Sequence, residues 1–219
     1  RDEPGHTRLR KLVNKAFTPR AVEAVRPRAT AIAHELLDAV AGQGEFDLME
    51  AFCQPYPTVV IAEMLGVDAA DRDQFKAWSD LLVRGLDPFV SEADRAEMDA
   101  ARQALDAYFA QAIAERRKQP ADDLMSRLIH AQEDGDSLTD VEMRVMLNLL
   151  LVAGNVTTTD LIGNGVQALL EHPDQLALLR ADPSLIPNAV EEMLRYNPPV
   201  IETGRFSAEE QVFSGCPIA

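Results

Sequence analysis

The sequence predicts a mainly α protein, and three observations carry that expectation. Apolar residues recur at helical spacing along almost the whole chain, interrupted by caps, glycines and prolines rather than by strand-like alternation. One segment runs from Thr139 to Pro173 without a strong break, about 33 residues, which as a helix is on the order of 50 Å long. Only the end of the chain, from Val200 onward, turns to Gly, Pro and β-branched residues and reads as short strands and turns.

Taken in order, residues 6–15 read as a short basic helix. Thr18-Pro19 opens the next one, a hydroxyl cap followed by proline at the first helical position. A longer helix is expected from near Pro27 to the stop at Gly42 and Gly44, with residues 45–47 as a brief extended piece. Residues 48–65 are apolar and end at Gly66, and a further helix covers about residues 70–86. Residues 91–118 form a long amphipathic helix ending in Glu115-Arg116-Arg117-Lys118, three cations suited to the negative end of the helix dipole. A shorter helix is expected over residues 122–132, before the turn Glu133-Asp134-Gly135-Asp136.

The spine helix then opens with a capping box, Thr139 with Glu142, and a hydrophobic staple, Leu138 with Met143. Short helices follow from Pro173 and over about residues 185–196, the last stopped by Asn197-Pro198-Pro199. No repeat, low-complexity segment or linker interrupts the chain, which reads as one domain or part of one.

Bulk properties narrow the function. At 219 residues and 47% apolar, the chain can bury a sizeable core. No run approaches 18 apolar residues, so no membrane span is expected, and the polar N-terminus does not resemble a signal peptide. The chain lacks a starting Met, which suggests that it begins inside a longer protein. Two cysteines, Cys53 and Cys216, are too few for a disulfide framework and fit a reducing, cytoplasmic location. A net charge of −15 argues against nucleic acid as a partner. Residues 1–28 nevertheless carry a net +5, leaving −20 on the remainder, and such a basic patch can steer an acidic protein or hold an anionic ligand.

The most informative stretch is LNLLLVAGNVTTT, residues 147–159. Glycine costs roughly 1 kcal/mol against alanine inside a helix, and three β-branched hydroxyl residues stiffen it while competing for backbone carbonyls. A helix carrying both mid-span either bends within a core or serves a ligand. Elsewhere, Glu192 and Arg195 lie three apart on one helix face, as do His6 and Arg10 four apart, while Arg205 sits in the extended tail. One His and two Arg can clamp carboxylates or phosphates through charge-assisted hydrogen bonds. His6, His34, His130 and His172 form no metal-binding spacing, and no phosphate loop, dinucleotide fingerprint or nucleophile elbow occurs.

Together and in this order, these segments resemble the bacterial cytochrome P450 monooxygenases. DEPGHTRLRKLVNKAFTPR (2–20) is similar to the family helix whose His and Arg bind haem propionates. VAGNVTTT (152–159) resembles the oxygen-activating segment, EMLR (192–195) the family's structural ion pair, and TGR (203–205) the strand whose Arg reaches a propionate; residues 173–200 are family-like throughout. The resemblance implies a partial P450 fold over residues 1–219, truncated at both ends, with a long central helix and short β segments near the C-terminus. It implies haem b, dioxygen, a small to medium apolar organic substrate, and a ferredoxin-type electron donor at the basic helix 6–20. It places His6, Arg10, Ala153, Gly154, Thr157 and Arg205 against haem, with Ala153-Gly154 letting the backbone approach the ring. Thr157 would present a hydroxyl to dioxygen, helped by Asn155 or Thr158. Leu149 and Val152 would face substrate from one side, and Val200, Ile201 and Thr203 from the other.

Two departures stand out. The acid that the family carries just before the threonine is Val156, which cannot relay a proton. The family's thiolate loop, Phe-x-x-Gly-x-x-x-Cys-x-Gly, fits neither cysteine: for Cys216 the Phe and two Gly positions hold Glu209, Val212 and Ile218, and for Cys53 they hold Phe46, Met49 and Pro55. The expectation is therefore an internal fragment without its iron ligand, inactive alone. A non-catalytic helical ligand-binding or regulatory module, or a degenerate remnant, are the alternatives.

Overall fold

A computed structural model describes residues 5–84, 90–131, 135–202 and 210–218. The elements are α1 (Gly5–Ala16), α2 (Pro19–Val40), α3 (Pro55–Leu65), α4 (Arg72–Arg84), α5 (Glu92–Lys118), α6 (Leu124–His130), α7 (Asp140–Glu171), α8 (Pro173–Ala181), α9 (Ile186–Tyr196), β1 (Gln211–Phe213) and β2 (Cys216–Ile218). They form two compact units, one ending at Gly163 and the other beginning at Asn164.

Local chemistry accounts for most boundaries. Thr18 Oγ1 accepts from the Ala21 amide at 3.1 Å and starts α2, Ser91 Oγ does the same for Asp94 and α5, and Asp123 Oδ1 accepts from Ser126 at the head of α6. The Thr139–Glu142 capping box forms at the head of α7, with Thr139 N donating to Glu142 Oε2 at 3.0 Å and Glu142 N to Thr139 Oγ1 at 3.3 Å. Gly66 ends α3 with φ of 83°, a left-handed geometry that side chains disfavour.

Several expectations change. α2 continues through Pro27 instead of starting there. Proline removes one amide from the ladder, but Arg28 beside it is tied to Glu63 of α3 at 2.7 Å and to Glu35 at 2.6 Å, which holds the helix in line. Residues 45–47 form no strand. Asp47 caps a π-helical turn, Met49–Cys53, by accepting from the Met49 and Glu50 amides. A 3-10 turn, Ala69–Asp71, precedes α4, whose expected end at Leu86 lies outside the described residues.

The core of the first unit gathers Leu12 and Ala16 of α1, Ile61, Ala62 and Leu65 of α3, Phe75 of α4, Leu105, Phe109 and Ile113 of α5, Leu124, Met125 and Leu128 of α6, and Met143, Leu147 and Leu151 of α7. Phe75 meets Trp78, Tyr108 and Phe109 edge-on, with ring centroids 5.5–6.2 Å apart, an arrangement favoured by the ring quadrupoles. Arg116 of α5 fastens the α3 terminus to the head of α6, donating to Gly66 O at 2.8 Å and Asp123 Oδ2 at 2.6 Å.

In the second unit, the end of α7 meets α8 and α9 around a cleft of about 380 Å3 lined by Ala168, Leu169, Leu179 and Met193. Gly165 makes room there for the Met193 sulfur. β1 and β2 pair antiparallel, Phe213 opposite Cys216, across a Ser214-Gly215 turn. Both turn residues have positive φ, which matches the twist of a tight hairpin.

α7 corrects one sequence expectation. Over an 18-residue window its mean hydropathy reaches 1.5, so it is the one described helix long and apolar enough to cross a membrane. Counting uninterrupted apolar runs missed this, because its Gly, Asn and Thr residues break the run while the window average stays apolar. Leu147, Leu151, Asn155 and Thr159 pack one stripe of it into the core, and 22% of that window is buried.

Candidate active site

α7 has two unlike faces in its first half. Met143, Leu147, Leu151, Asn155 and Thr159 recur every four residues and are buried. The other face carries Val141, Val145 and Leu149, exposed at 57, 61 and 56%, followed by exposed Ala153 and half-buried Val152, Val156, Thr157 and Asp160. These residues leave an apolar stripe open beside a filled core. Thr157 Oγ1 donates to Ala153 O at 2.8 Å, one turn back, which leaves the lone pairs of its oxygen available.

Two residues grouped with Thr157 from sequence face elsewhere. Asn155 is only 4% exposed and lies in a polar knot between three helices. Its Oδ1 accepts from Thr58 Oγ1 of α3 at 2.9 Å and lies 3.4 Å from Thr159 Oγ1, and its Nδ2 donates to Ser79 Oγ of α4 at 2.7 Å. Thr58 Oγ1 is equally close, 2.9 Å, to Gln54 O, so its single hydrogen is shared. Asn155 therefore does not reach the open face. With its amide bonded in the core, it holds α7 against α3 and α4. Gly154 is the second correction. A Cβ there would meet Ile61 of α3 at 3.3 Å, so the missing side chain admits α3 rather than a ligand. Ala153, its neighbour, does stand on the open face. Thr158 is half-buried between the two faces.

At the N-terminus, His6 and Arg10 are both exposed on α1. Arg8, between them, turns inward and grips Glu142 at the head of α7 with two 2.8 Å bonds, with Asp136 at 3.2 Å. Sequence reading missed Arg8. The available signal was its partner, because Glu142 already occupied a capping box and so had a fixed place.

In the second unit, Glu192 and Arg195 form a two-pronged pair, 2.7 Å at each prong. The pair is open to solvent, at 58 and 69% exposure, and the Arg195 hydrogen bond followed by its charge holds the Glu192 carboxyl below its ordinary range. Val200 and Ile201 are exposed. Thr203 and Arg205 lie outside the described residues. Cys53 is buried, and burial followed by the Asp47 charge pushes its thiol up, the reverse of a reactive thiolate. Cys216 is exposed on β2.

Leu149, Ala153 and Thr157 recur every four residues on this open stripe, with half-buried Val152 beside them. Neither cysteine has the surroundings of an iron-binding thiolate.

Comparison with known proteins agrees with this architecture. A sequence profile of the cytochrome P450 family matches residues 1–219. Cytochrome P450 107B1 of Saccharopolyspora erythraea is 50% identical over 209 residues, covering 95% of this chain and 50% of that protein. Vitamin D(3) 25-hydroxylase of Pseudonocardia autotrophica is 47% identical, covering 99% of this chain and 53% of its own length. The crystal structure of CYP109E1 from Bacillus megaterium in complex with testosterone superposes with a TM-score of 0.93 at 39% identity, over 100% of this chain and 59% of that one. The chain thus spans about half the length of the curated relatives it matches.

Proposed function

The chain belongs to the cytochrome P450 family, and from that membership we propose that it is the oxygen-handling portion of a bacterial haem-dependent monooxygenase. The observation that carries the reading is the open apolar stripe of α7 with the Thr157 hydroxyl on it. Haem b, when bound, supplies the reduction of dioxygen and the insertion of one oxygen atom into substrate. The protein's part is positioning. Leu149 and Val152 shape the apolar pocket, Ala153 allows close approach, and Thr157 holds and passes a proton at its Oγ1. His6, Arg10 and Arg205 neutralise the propionates, and Glu192 with Arg195 braces α9. From family membership alone, Val200, Ile201 and Thr203 are assigned to substrate contact.

The substrate class is apolar and organic. A relative named for vitamin D(3) hydroxylation and a neighbour solved with testosterone support an occupant of polycyclic size. A cytoplasmic location without membrane attachment completes the proposal, with α7 as a packing spine.

The test uses the full-length protein with its cysteine loop. The reduced, carbon monoxide-treated protein should give the absorption of thiolate haem, and Thr157→Ala should lower product per reductant by on the order of 10²-fold while reductant consumption continues. Unchanged coupling in Thr157→Ala removes the reading, and absence of any saturable haem spectrum favours the non-catalytic helical module. Electron delivery is assigned to an acidic ferredoxin-type partner at α1, where Lys11 and Lys15 are exposed. Reversing both charges should slow electron transfer and flatten its salt dependence; unchanged kinetics would place the donor elsewhere.

A further inference from the structure

The central part of α7 contains one ionisable side chain. Between Arg144 and Glu171 every residue is apolar, small, amide or hydroxyl except Asp160. Aspartate is a poor choice there on local grounds. It is among the weaker helix formers, and a carboxylate on an apolar helix loses solvation unless a partner replaces it. Asp160 is half-buried and makes no hydrogen bond or ion pair with the described residues. Among the described residues no partner offsets its cost, unlike Asp140, which pairs with Arg117 at the head of the same helix.

Its place on the helix is informative. Asp160 lies four residues after Val156 and three after Thr157, so all three share one face, with neighbouring Cβ atoms roughly 5–6 Å apart. That face is the open stripe of Leu149, Ala153 and Thr157, while Thr159 and Asn155 beside it turn into the core. A separation of this size is bridged by one water. Thr157 already donates its own hydrogen to Ala153 O. Its lone pairs are therefore the free side of the hydroxyl, the side to which a water held by a carboxyl group would donate.

We propose that Asp160 is the residue that positions the proton-relaying water of this site, taking the role for which Val156 has no chemistry. It acts through Thr157 rather than on substrate, and the assignment rests on Thr157 serving oxygen activation as proposed above. The Asp160 carboxylate would hold a water against Thr157 Oγ1, and a proton taken up from solvent would cross that water to Thr157 Oγ1. The Thr157 hydroxyl, turned away from Ala153 O, would then donate its own proton toward dioxygen at the haem, with the electrons supplied by the reductant of the monooxygenase reaction.

The experiment uses the full-length protein with its electron donor. Asp160→Asn should lower product per reductant by on the order of 10²-fold and change the solvent isotope effect on product formation. Adding Val156→Glu to Asp160→Asn should restore at least a tenth of the lost coupling. Asp160→Glu, which keeps the carboxyl group, should stay within about tenfold of the parent. A second readout does not depend on turnover. In the diamagnetic carbon monoxide complex, the Asp160 carboxyl carbon resonance, assigned by its loss in Asp160→Glu, should shift when Thr157 is changed to Val.

No shift overturns the water bridge even where Asp160→Asn fails to fold, and unchanged coupling in a folded Asp160→Asn overturns the relay. If Thr157→Ala is impaired and Asp160→Asn is not, this inference alone fails. If Thr157→Ala retains full coupling, the underlying reading fails with it.

Discussion

Asn155→Leu tests the polar knot that orients α7. Leucine has a similar size and suits the surrounding apolar packing, so the loss is mainly polar. The Thr58 and Ser79 bonds, at 2.9 and 2.7 Å, disappear. Each is worth about 1 kcal/mol net. Thr58 falls back on Gln54 O at 2.9 Å and stays satisfied. Ser79 is fully buried and loses its bond to the amide, adding about 1–3 kcal/mol for a stranded hydroxyl. The expected cost is about 3–5 kcal/mol, a factor of at least roughly 10² in the folding equilibrium at 1.4 kcal/mol per tenfold. Urea unfolding of parent and variant measures it as a lower midpoint at unchanged slope. Ser79→Ala in the Asn155→Leu background should recover about 1 kcal/mol, because the stranded group is then gone. A cost below about 1 kcal/mol, or strict additivity of the two changes, refutes the knot as an orienting device.

Other perturbations have equally direct readouts. Gly66→Ala forces a left-handed backbone, and its Cβ would fall 2.2 Å from Asp123 Oδ2, displacing the carboxylate that caps α6 and pairs with Arg116. A loss of about 3–5 kcal/mol in urea unfolding is expected, and a loss under 1 kcal/mol would contradict the geometry. Tyr108 is pushed up to about 12 from the ordinary 10.0, first by burial and then by its hydrogen bond to Asp71. Because the folded value is raised, this contribution is complete below pH 10 and is lost as pH climbs from 10 through about 12. Tyr108→Phe should flatten the fall in urea midpoint over that window, and equal slopes in the two proteins would exclude Tyr108 as its source.

Much of the fold is legible locally. Thr18-Pro19, Ser91 and the Thr139–Glu142 box all start helices where the sequence places them, because a cap involves only residues within one turn. The hairpin is legible for the same reason, since Ser214-Gly215 contains its own turn geometry. Pro27 misleads because the restraint that carries α2 through it, Arg28 on Glu63, comes from a residue 35 positions away.

The site divides along the same line. The sequence by itself determined that a long helix carries a Gly-and-Thr defect, that it belongs to a family-like order of segments, and that Val156 stands where an acid is expected. It did not determine which way that helix faces. α7 bears apolar residues around its whole circumference, so periodicity contains no direction. Only tertiary packing broke the tie: Ile61 filled the space at Gly154, and Thr58 with Ser79 drew Asn155 into the core. Once those contacts orient the helix, Thr157 and Asp160 are left on the open side. The physical reason is that hydrogen bonding within a helix is set by neighbours in sequence, whereas its rotation is set by what other helices bury.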